Sequence, residues 1–268
     1  MDNAFGKGGV PSKRGERVAA DFEGLIAEAE TLPVSGWDPT PIAGRWTTGA
    51  PPWDYRALVR RQLASAESLL DLGTGGGELL SSLAPLPHPT YATESYPPNL
   101  SLARRRLEPL GVRVIAIGTD NRIDLPRGSV ELVLCRHEEF DPEQVYRVLA
   151  PGGVFVTQQV GAHHYEEINQ RWGVEHAPPT NAVGSAQDLA TEVSSAGFRV
   201  LDQKEARYGD RFLDVGALVW YLRFAPWQVP RFSVSRFRED LHRIHQEIGP
   251  AGGFSVTAHC LLVLAQRD

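Results

Sequence analysis

Three glycines spaced two apart, Gly73, Gly75 and Gly77, carry the clearest chemical signal in the chain. They lie in Leu69-Leu70-Asp71-Leu72-Gly73-Thr74-Gly75-Gly76-Gly77-Glu78, between a short apolar run and the start of a helical pattern. Gly73 permits a tight turn, Gly75 lets the backbone approach a ligand, and Gly77 lets the helix pack on the strand. A helix starting there presents free N–H groups and a partial positive charge. The spacing departs from the dinucleotide fingerprint G-x-G-x-x-G, because Glu78 stands where its last glycine belongs. Asp71 beside the turn disfavours a pyrophosphate and suits a ligand that carries an ammonium group. Glu94, 21 residues after Gly73 and at the end of a second expected strand, is placed to accept hydrogen bonds from two ribose hydroxyls.

Two further turns hold reactive side-chain types. In Cys135-Arg136-His137-Glu138-Glu139-Phe140, His137 is the candidate general base, since imidazole titrates near neutrality. Glu138 and Glu139 read as solvated or supporting carboxylates. Cys135 sits inside an apolar run and, with Cys260, reads as a buried small hydrophobe. In His163-His164-Tyr165-Glu166-Glu167, adjacent residues do not share a helix face. No Cys-x-x-Cys pair or His-x-x-x-His spacing occurs, so no metal site is expected. His163 is the residue of this pair taken toward an acceptor pocket.

These turns need a scaffold, and the pattern supplies alternating strands and helices. Helices are expected over Glu16–Leu32, Arg56–Ala66, Gly77–Ala84, Asn99–Leu110, Pro142–Leu149 and Ser185–Ala196. Strands are expected over Ser68–Leu72, Thr90–Glu94, Val112–Gly118, Val130–Cys135 and Gly153–Gln158, with a sixth beginning at Arg199–Asp202. Continuously apolar strands between helices imply a buried, mostly parallel sheet. Two helices, Leu213–Phe224 and Val234–Ile248, precede a final β-rich run, Phe254–Leu264. Pro33–Asp54 has no periodic face of its own yet holds Trp37, Trp46 and Trp53, which need a surface to cover. It reads as a lid. The insertion Arg207–Gly253, with Trp220, Tyr221, Phe224, Trp227 and Phe232, reads as a cover for a sizeable organic molecule. Val174–Gly184 reads as a loop. The working division is 1–54 (N-terminal helix and aromatic lid), 55–206 (cofactor-binding α/β core) and 207–268 (helical insertion and final strand).

Composition narrows the field. The 268 residues are 42% hydrophobic, enough for a full core, and carry a formal charge of −6. That balance argues against a protein that coats nucleic acid, which relies on clustered Lys and Arg. Arg104-Arg105-Arg106 reads as a solvated helix face. No apolar run approaches the ~20 residues that cross a bilayer. The start lacks an apolar leader core, so a cytoplasmic, reduced protein is expected.

From roughly Asp54 to Gln159 the sequence resembles the class I S-adenosylmethionine-dependent methyltransferases. Asp71–Glu78 resembles their first motif and Glu94 their ribose-binding acid. Thr119-Asp120-Asn121-Arg122-Ile123-Asp124-Leu125-Pro126 resembles the stretch lining adenine, and Arg147–Val156 the helix–turn–strand segment after the fourth strand. The resemblance implies a seven-stranded, mostly parallel sheet flanked by helices, its last strand antiparallel. It implies S-adenosyl-L-methionine as cofactor. Asp71 would lie near the methionine amino group, and Gly73, Thr74, Gly75 and Gly77 along the methionine moiety. Glu94 and Ser95 would lie at the ribose. Asp120 or Asn121 would meet the adenine amine beside Arg122, with Arg136 and His137 close by. Arg45 is a candidate for the methionine carboxylate.

Methyl transfer from a sulfonium is an in-line displacement, helped mostly by alignment, and needs a base only where the nucleophile must lose a proton. Relatives acting on nucleobase amines or glutamine carry [Asp/Asn]-Pro-Pro-aromatic after the fourth strand. Here Tyr96-Pro97-Pro98-Asn99 follows the second strand instead. The expected acceptor is therefore O or N of a small organic molecule, such as a secondary metabolite, met by Trp53, Tyr55, His163, Trp220 and Trp227. An RNA methyltransferase and a non-catalytic S-adenosylmethionine-binding protein are the alternatives, and the oligomeric state stays open. Replacing Glu94 by Ala should weaken cofactor binding by roughly 1–3 kcal/mol, as for hydrogen bonds to a charged group, and leave the fold intact. Calorimetry beside thermal melting checks this: unchanged affinity at unchanged stability rejects the ribose assignment.

Overall fold

The computed structural model describes residues 21–34, 38–118, 122–174 and 184–268. Helix α1 (Phe22–Thr31) precedes a two-residue strand β1 (Trp46–Thr47) and α2 (Tyr55–Leu63). Then follow β2 (Leu69–Leu72), α3 (Glu78–Ser81), β3 (Thr90–Glu94), α4 (Pro97–Leu107), β4 (Val112–Ala116) and β5 (Val130–Arg136). After α5 (Pro142–Val148) and β6 (Leu149–Val160) come α6 (Glu166–Trp172), α7 (Ala186–Ser195) and β7 (Phe198–Phe212). The chain closes with α8 (Val215–Phe224), α9 (Val234–Ala251) and β8 (Phe254–Arg267). The N-terminal part of the expected Glu16–Leu32 helix, and most of the Val174–Gly184 loop, lie outside the described residues.

The described strands form one sheet of eight, in the order β1-β7-β8-β6-β5-β2-β3-β4. Strands β2 to β6 are mutually parallel, and β8 runs antiparallel to both β6 and β7. Burial explains the parallel half: β2 is buried at all four positions, and β5 at five of seven. A strand covered on both faces must be apolar throughout. Helix α3 is one turn, shorter than the expected Gly77–Ala84, because the chain leaves the helix after Ser81.

Two expectations are corrected at the β7 edge. The sheet has eight strands rather than seven, because Trp46 and Thr47 pair antiparallel with Phe212 and Arg211. The sixth strand, expected to begin at Arg199–Asp202, starts at Phe198 and runs for 15 residues to Phe212, so the 206/207 division falls inside it. Its middle is charged, since Asp202, Lys204, Glu205 and Arg207 sit on a half-exposed strand. The signal for its continuation was period-two alternation: Ala206, Asp210 and Phe212 are buried on one face.

One core cluster lies beneath the glycine turn and another between α1, α8 and α9. Side-chain caps set the helix starts: Asp54 accepts from the Ala57 N–H at 2.9 Å and Asp214 from the Ala217 N–H at 2.9 Å. Arg45 donates from Nε and Nη2 to the two oxygens of Asp214, each at 2.7 Å, and from Nη1 to Glu28 at 2.8 Å. It ties α1 to α8 and is not directed at a methionine carboxylate. Trp220 is likewise corrected from acceptor contact to core: it is 0% exposed, donates to the Pro33 carbonyl at 3.0 Å and stacks on Phe224. Its length and apolar neighbours suit either role; only the packing of α8 against α1 separates them. Trp220→Ala should cost about 3–5 kcal/mol of stability, as for large-to-small core changes. Chemical denaturation should show that loss while cofactor affinity stays constant; reduced affinity at full stability would return Trp220 to the site.

Candidate active site

The glycine turn follows β2 and is held from the neighbouring strand. Thr74 N–H donates to the Thr93 carbonyl at 2.9 Å and Gly73 N–H to the Thr93 hydroxyl at 3.2 Å. Gly73 and Gly77 have left-handed φ of 63° and 81°, a region costly to other residues. A Cβ on Gly77 would meet the Leu107 side chain at 2.7 Å, and one on Gly73 would meet Glu138 at 2.2 Å. Arg106, expected as a solvated residue, donates to the Gly76 carbonyl and to Glu78, tethering α4 to the turn.

Three carboxyl groups face this turn with much of their hydration removed. Burial pushes Asp71 up to about 7. Burial first, and then the nearby Glu94 charge, pushes Glu138 up to about 7. Burial also raises Glu94, although it accepts from the Tyr96 N–H at 2.7 Å and from neighbouring backbone amides. Glu138 was expected to be solvated or supporting; the charged Glu-Glu pair in the sequence gives no sign that one member folds over Gly73. The Tyr55 hydroxyl and Asn99 Oδ1 are buried here without a hydrogen-bond partner. A narrow crevice of about 10 Å³, lined by Leu72, Ile117, Ile123 and Phe140 together with Glu138, Glu139 and Asp141, lies beside Gly73. Asp120 and Asn121 lie outside the described residues. Arg122 and Ser95 are exposed nearby in sequence, and the Ser95 amide supports Glu94.

A larger cavity of about 650 Å³ opens on the other side of Glu138. Trp46, Gly49 and Pro51 form one wall, so part of the expected lid is built into the cavity; Trp37 lies outside the described residues. His137 and Tyr165, two non-glycine residues with left-handed φ of 59° and 55°, also border it. Such strain clusters at functional sites. Trp53 Nε1 donates to Gln158 Oε1 at 2.9 Å. Indole is donor-only, which directs the Gln158 amide N–H₂ to His137 Nε2 at 3.3 Å. The hydrogen-bond network thus assigns His137 as neutral with its proton on Nδ1. Desolvation, with the Arg136 guanidinium and His164 nearby, keeps the imidazole pKa below its ordinary value.

Several expected acceptor contacts separate at this point. Trp227 lines the cavity, and Trp53 reaches its wall through Gln158. Tyr55 lies under Arg136, whose guanidinium is 5.8 Å from its ring centroid. His163 instead turns outward to Glu166 at 2.9 Å, and its neighbour His164 lines the cavity, stacked on Tyr165. The sequence does not distinguish them; the backbone turn after β6 does. Gln158, Gln159, Tyr165, Tyr208 and Asp210 were not anticipated, and they lie on the ends of β6 and β7 or just beyond. Cys135 and Cys260 are free and buried, and burial raises both thiols. Among the described residues no group of three or more His, Cys, Asp or Glu could hold a metal ion.

Residues 70–157 match the family described as methyltransferase domain. No curated protein matches the chain in sequence. A proposed methyltransferase of Bacillus halodurans superposes with a TM-score of 0.58 at 19% identity, covering 80% of this chain and 99% of its own. The YcgJ protein of Bacillus subtilis superposes with a TM-score of 0.58 at 15% identity, covering 80% and 97%. At these identities the likeness speaks for the fold. Residues 70–157 therefore read as a methyltransferase domain, and S-adenosylmethionine is the cofactor that such a domain implies. The turn fits the cofactor: desolvated carboxylates suit its ammonium and sulfonium charges, and Tyr55 and Asn99 offer unused polar atoms.

A cationic ligand favours the ionised carboxylates and so lowers their pKa values. Asp71 and Glu138 are protonated below about pH 7 in the free protein, so the preference for S-adenosylmethionine over its uncharged-sulfur product should rise with pH. Between pH 5.5 and 7, below the range where an α-amino group titrates, one such carboxyl accounts for up to about a tenfold rise. Calorimetric titration of both ligands across this window checks it; a constant ratio of affinities shows that these carboxyls do not sense the sulfonium.

Proposed function

We propose that this enzyme transfers the methyl group of S-adenosylmethionine to an oxygen or nitrogen of a small organic molecule, with a secondary metabolite as the expected type. The observation that carries this reading is the cavity of about 650 Å³ beside the glycine turn, walled by Trp46, Tyr208, Tyr221, Phe224 and Trp227. Its size and aromatic lining suit an organic molecule rather than a nucleic-acid strand. When bound, the cofactor supplies an electrophilic methyl on a sulfonium. Glu138, between the turn and the cavity, borders the path of transfer and faces both ligands.

His137 is assigned to shaping the site beside the reacting atoms rather than to removing a proton, because its Nε2 already accepts from Gln158. That suits an acceptor delivered as a free nucleophile. In the proposed division of labour, residues 55–206 hold the cofactor, while the N-terminal segment, the ends of β6 and β7 and the chain beyond β7 enclose the acceptor. No described helix is long and apolar enough to cross a membrane. Two free, buried cysteines suit the reducing cytoplasm we assign to it.

The test is turnover by the purified chain with S-adenosylmethionine and a panel of aryl alcohols, phenols and amines, beside total tRNA and rRNA. Mass spectrometry should show methylated product and S-adenosylhomocysteine with at least one small acceptor and none with RNA. Methylation of RNA alone overturns the small-molecule reading, and cofactor binding without turnover on any arm favours a non-catalytic binder.

A further inference from the structure

Within the acceptor cavity, Asp210 stands far from the methyl-donor turn, and the strand registers show how far. Leu72 pairs with Cys135, Cys135 with Thr157, Thr157 with Val263 and Val263 with Gln203, one row across the sheet. Asp210 lies seven residues past Gln203 on β7, about 20 Å along the strand at roughly 3.3 Å per residue, and four strands to the side. The same cavity touches both places, being lined by Glu138 and Gln158 as well as by Tyr208 and Asp210.

Asp210 is 6% exposed. One carboxylate oxygen accepts from the Gly49 N–H at 2.7 Å and the other from the Tyr165 hydroxyl. Both donors are neutral, and among the described residues Asp210 has no ion-pair partner. Burial accordingly raises its pKa. Around it lies a cluster of rings: Trp46 is 5.6 Å from Phe212 and 5.4 Å from Tyr221, and Tyr165 is 5.2 Å from Tyr221, centroid to centroid. Ring faces attract cations, and a buried carboxylate without a counter-charge gains most from one. Of the other charged groups on the cavity wall, Arg136 ends β5 and its charge reaches Tyr208, while Glu138 and Glu139 lie in the turn that follows.

We propose that the far end of the cavity is an ammonium-binding subsite anchored by Asp210, so that the acceptor carries a basic amine remote from the atom that is methylated. This rests on the small-molecule reading and specifies the acceptor's class: an elongated, partly apolar molecule with a cationic end. Asp210 acts as a specificity residue, holding the molecule in register with the methyl donor.

The experiment uses the full chain saturated with S-adenosylhomocysteine and two fluorescent probes: dansylcadaverine, an aryl sulfonamide whose five-carbon arm ends in an ammonium, and its hydroxyl-ended counterpart. The ammonium probe should bind the wild-type chain about tenfold tighter or better, the range a desolvated cation contact supplies. Asp210→Asn should bring the two probes within about twofold of each other and leave S-adenosylhomocysteine binding unchanged. Glu138→Gln, which keeps Asp210, should retain the discrimination, so the assignment stays testable if Asp210→Asn does not fold. Equal binding of both probes to the wild type overturns the proposal. So does discrimination that survives Asp210→Asn or vanishes with Glu138→Gln, since the cation then sits at the cofactor end. Failure to bind S-adenosylhomocysteine in the wild type would instead reject the methyltransferase reading on which the proposal rests.

Discussion

Carboxyl groups removed from water around one glycine turn are the constraint around which this molecule is organised. Asp71 lies in a fully buried strand, Glu94 closes the next one, and Glu138 folds over Gly73. Each is raised above its ordinary range by burial, so ionising them at this turn carries a cost. A ligand with an ammonium and a sulfonium relieves that cost, and this relief distinguishes the site from a phosphate-binding turn of similar glycine spacing. The glycines are needed because nothing larger fits: Leu107 lies against Gly77 and Glu138 against Gly73.

The acceptor side follows a different rule. Strands β7 and β8 continue well beyond the row that ends at the glycine turn, and this extended pair forms a wall above the sheet. Its outer edge would expose unpaired backbone groups, a liability that β1 covers at Phe212 and Arg211. The same contact brings Trp46 and Gly49 to Asp210 and closes the cavity. Helix α8 contributes Tyr221 and Phe224 to that cavity while burying Trp220, stacked on Phe224, beside α1. One short helix therefore serves both core and pocket, and Arg45 clamps its first turn to α1 through Asp214 and Glu28.

The sequence was most readable where chemistry and burial coincide. Strands β2, β3 and β5 are short and bounded by turn residues or charges, so their limits were legible within a residue or so. The glycine turn and Glu94 were legible because backbone geometry and hydrogen-bonding capacity restrict which residues can serve there. The polar strand β7 was read short because Asp202 to Arg207 contains no apolar run, and an antiparallel strand half open to solvent needs none. The two-residue β1 carries no period at all.

Spacing in the sequence by itself determined the methyl-donor half: a parallel sheet, a glycine turn beside an acid, and a second acid one strand later. These are local features, set by dihedral freedom and by strands buried on both faces, and they survive without knowledge of the packing. Tertiary structure alone decided the acceptor half. It chose His164 over His163 for the cavity, sent Trp220 to the core and Trp227 to the wall, and placed Asp210 among rings contributed by four separate segments. The physical reason is that these choices depend on which face of an element is covered, and that is settled by partners more than a hundred residues away in several cases, such as Gly49 with Asp210 and Pro33 with Trp220.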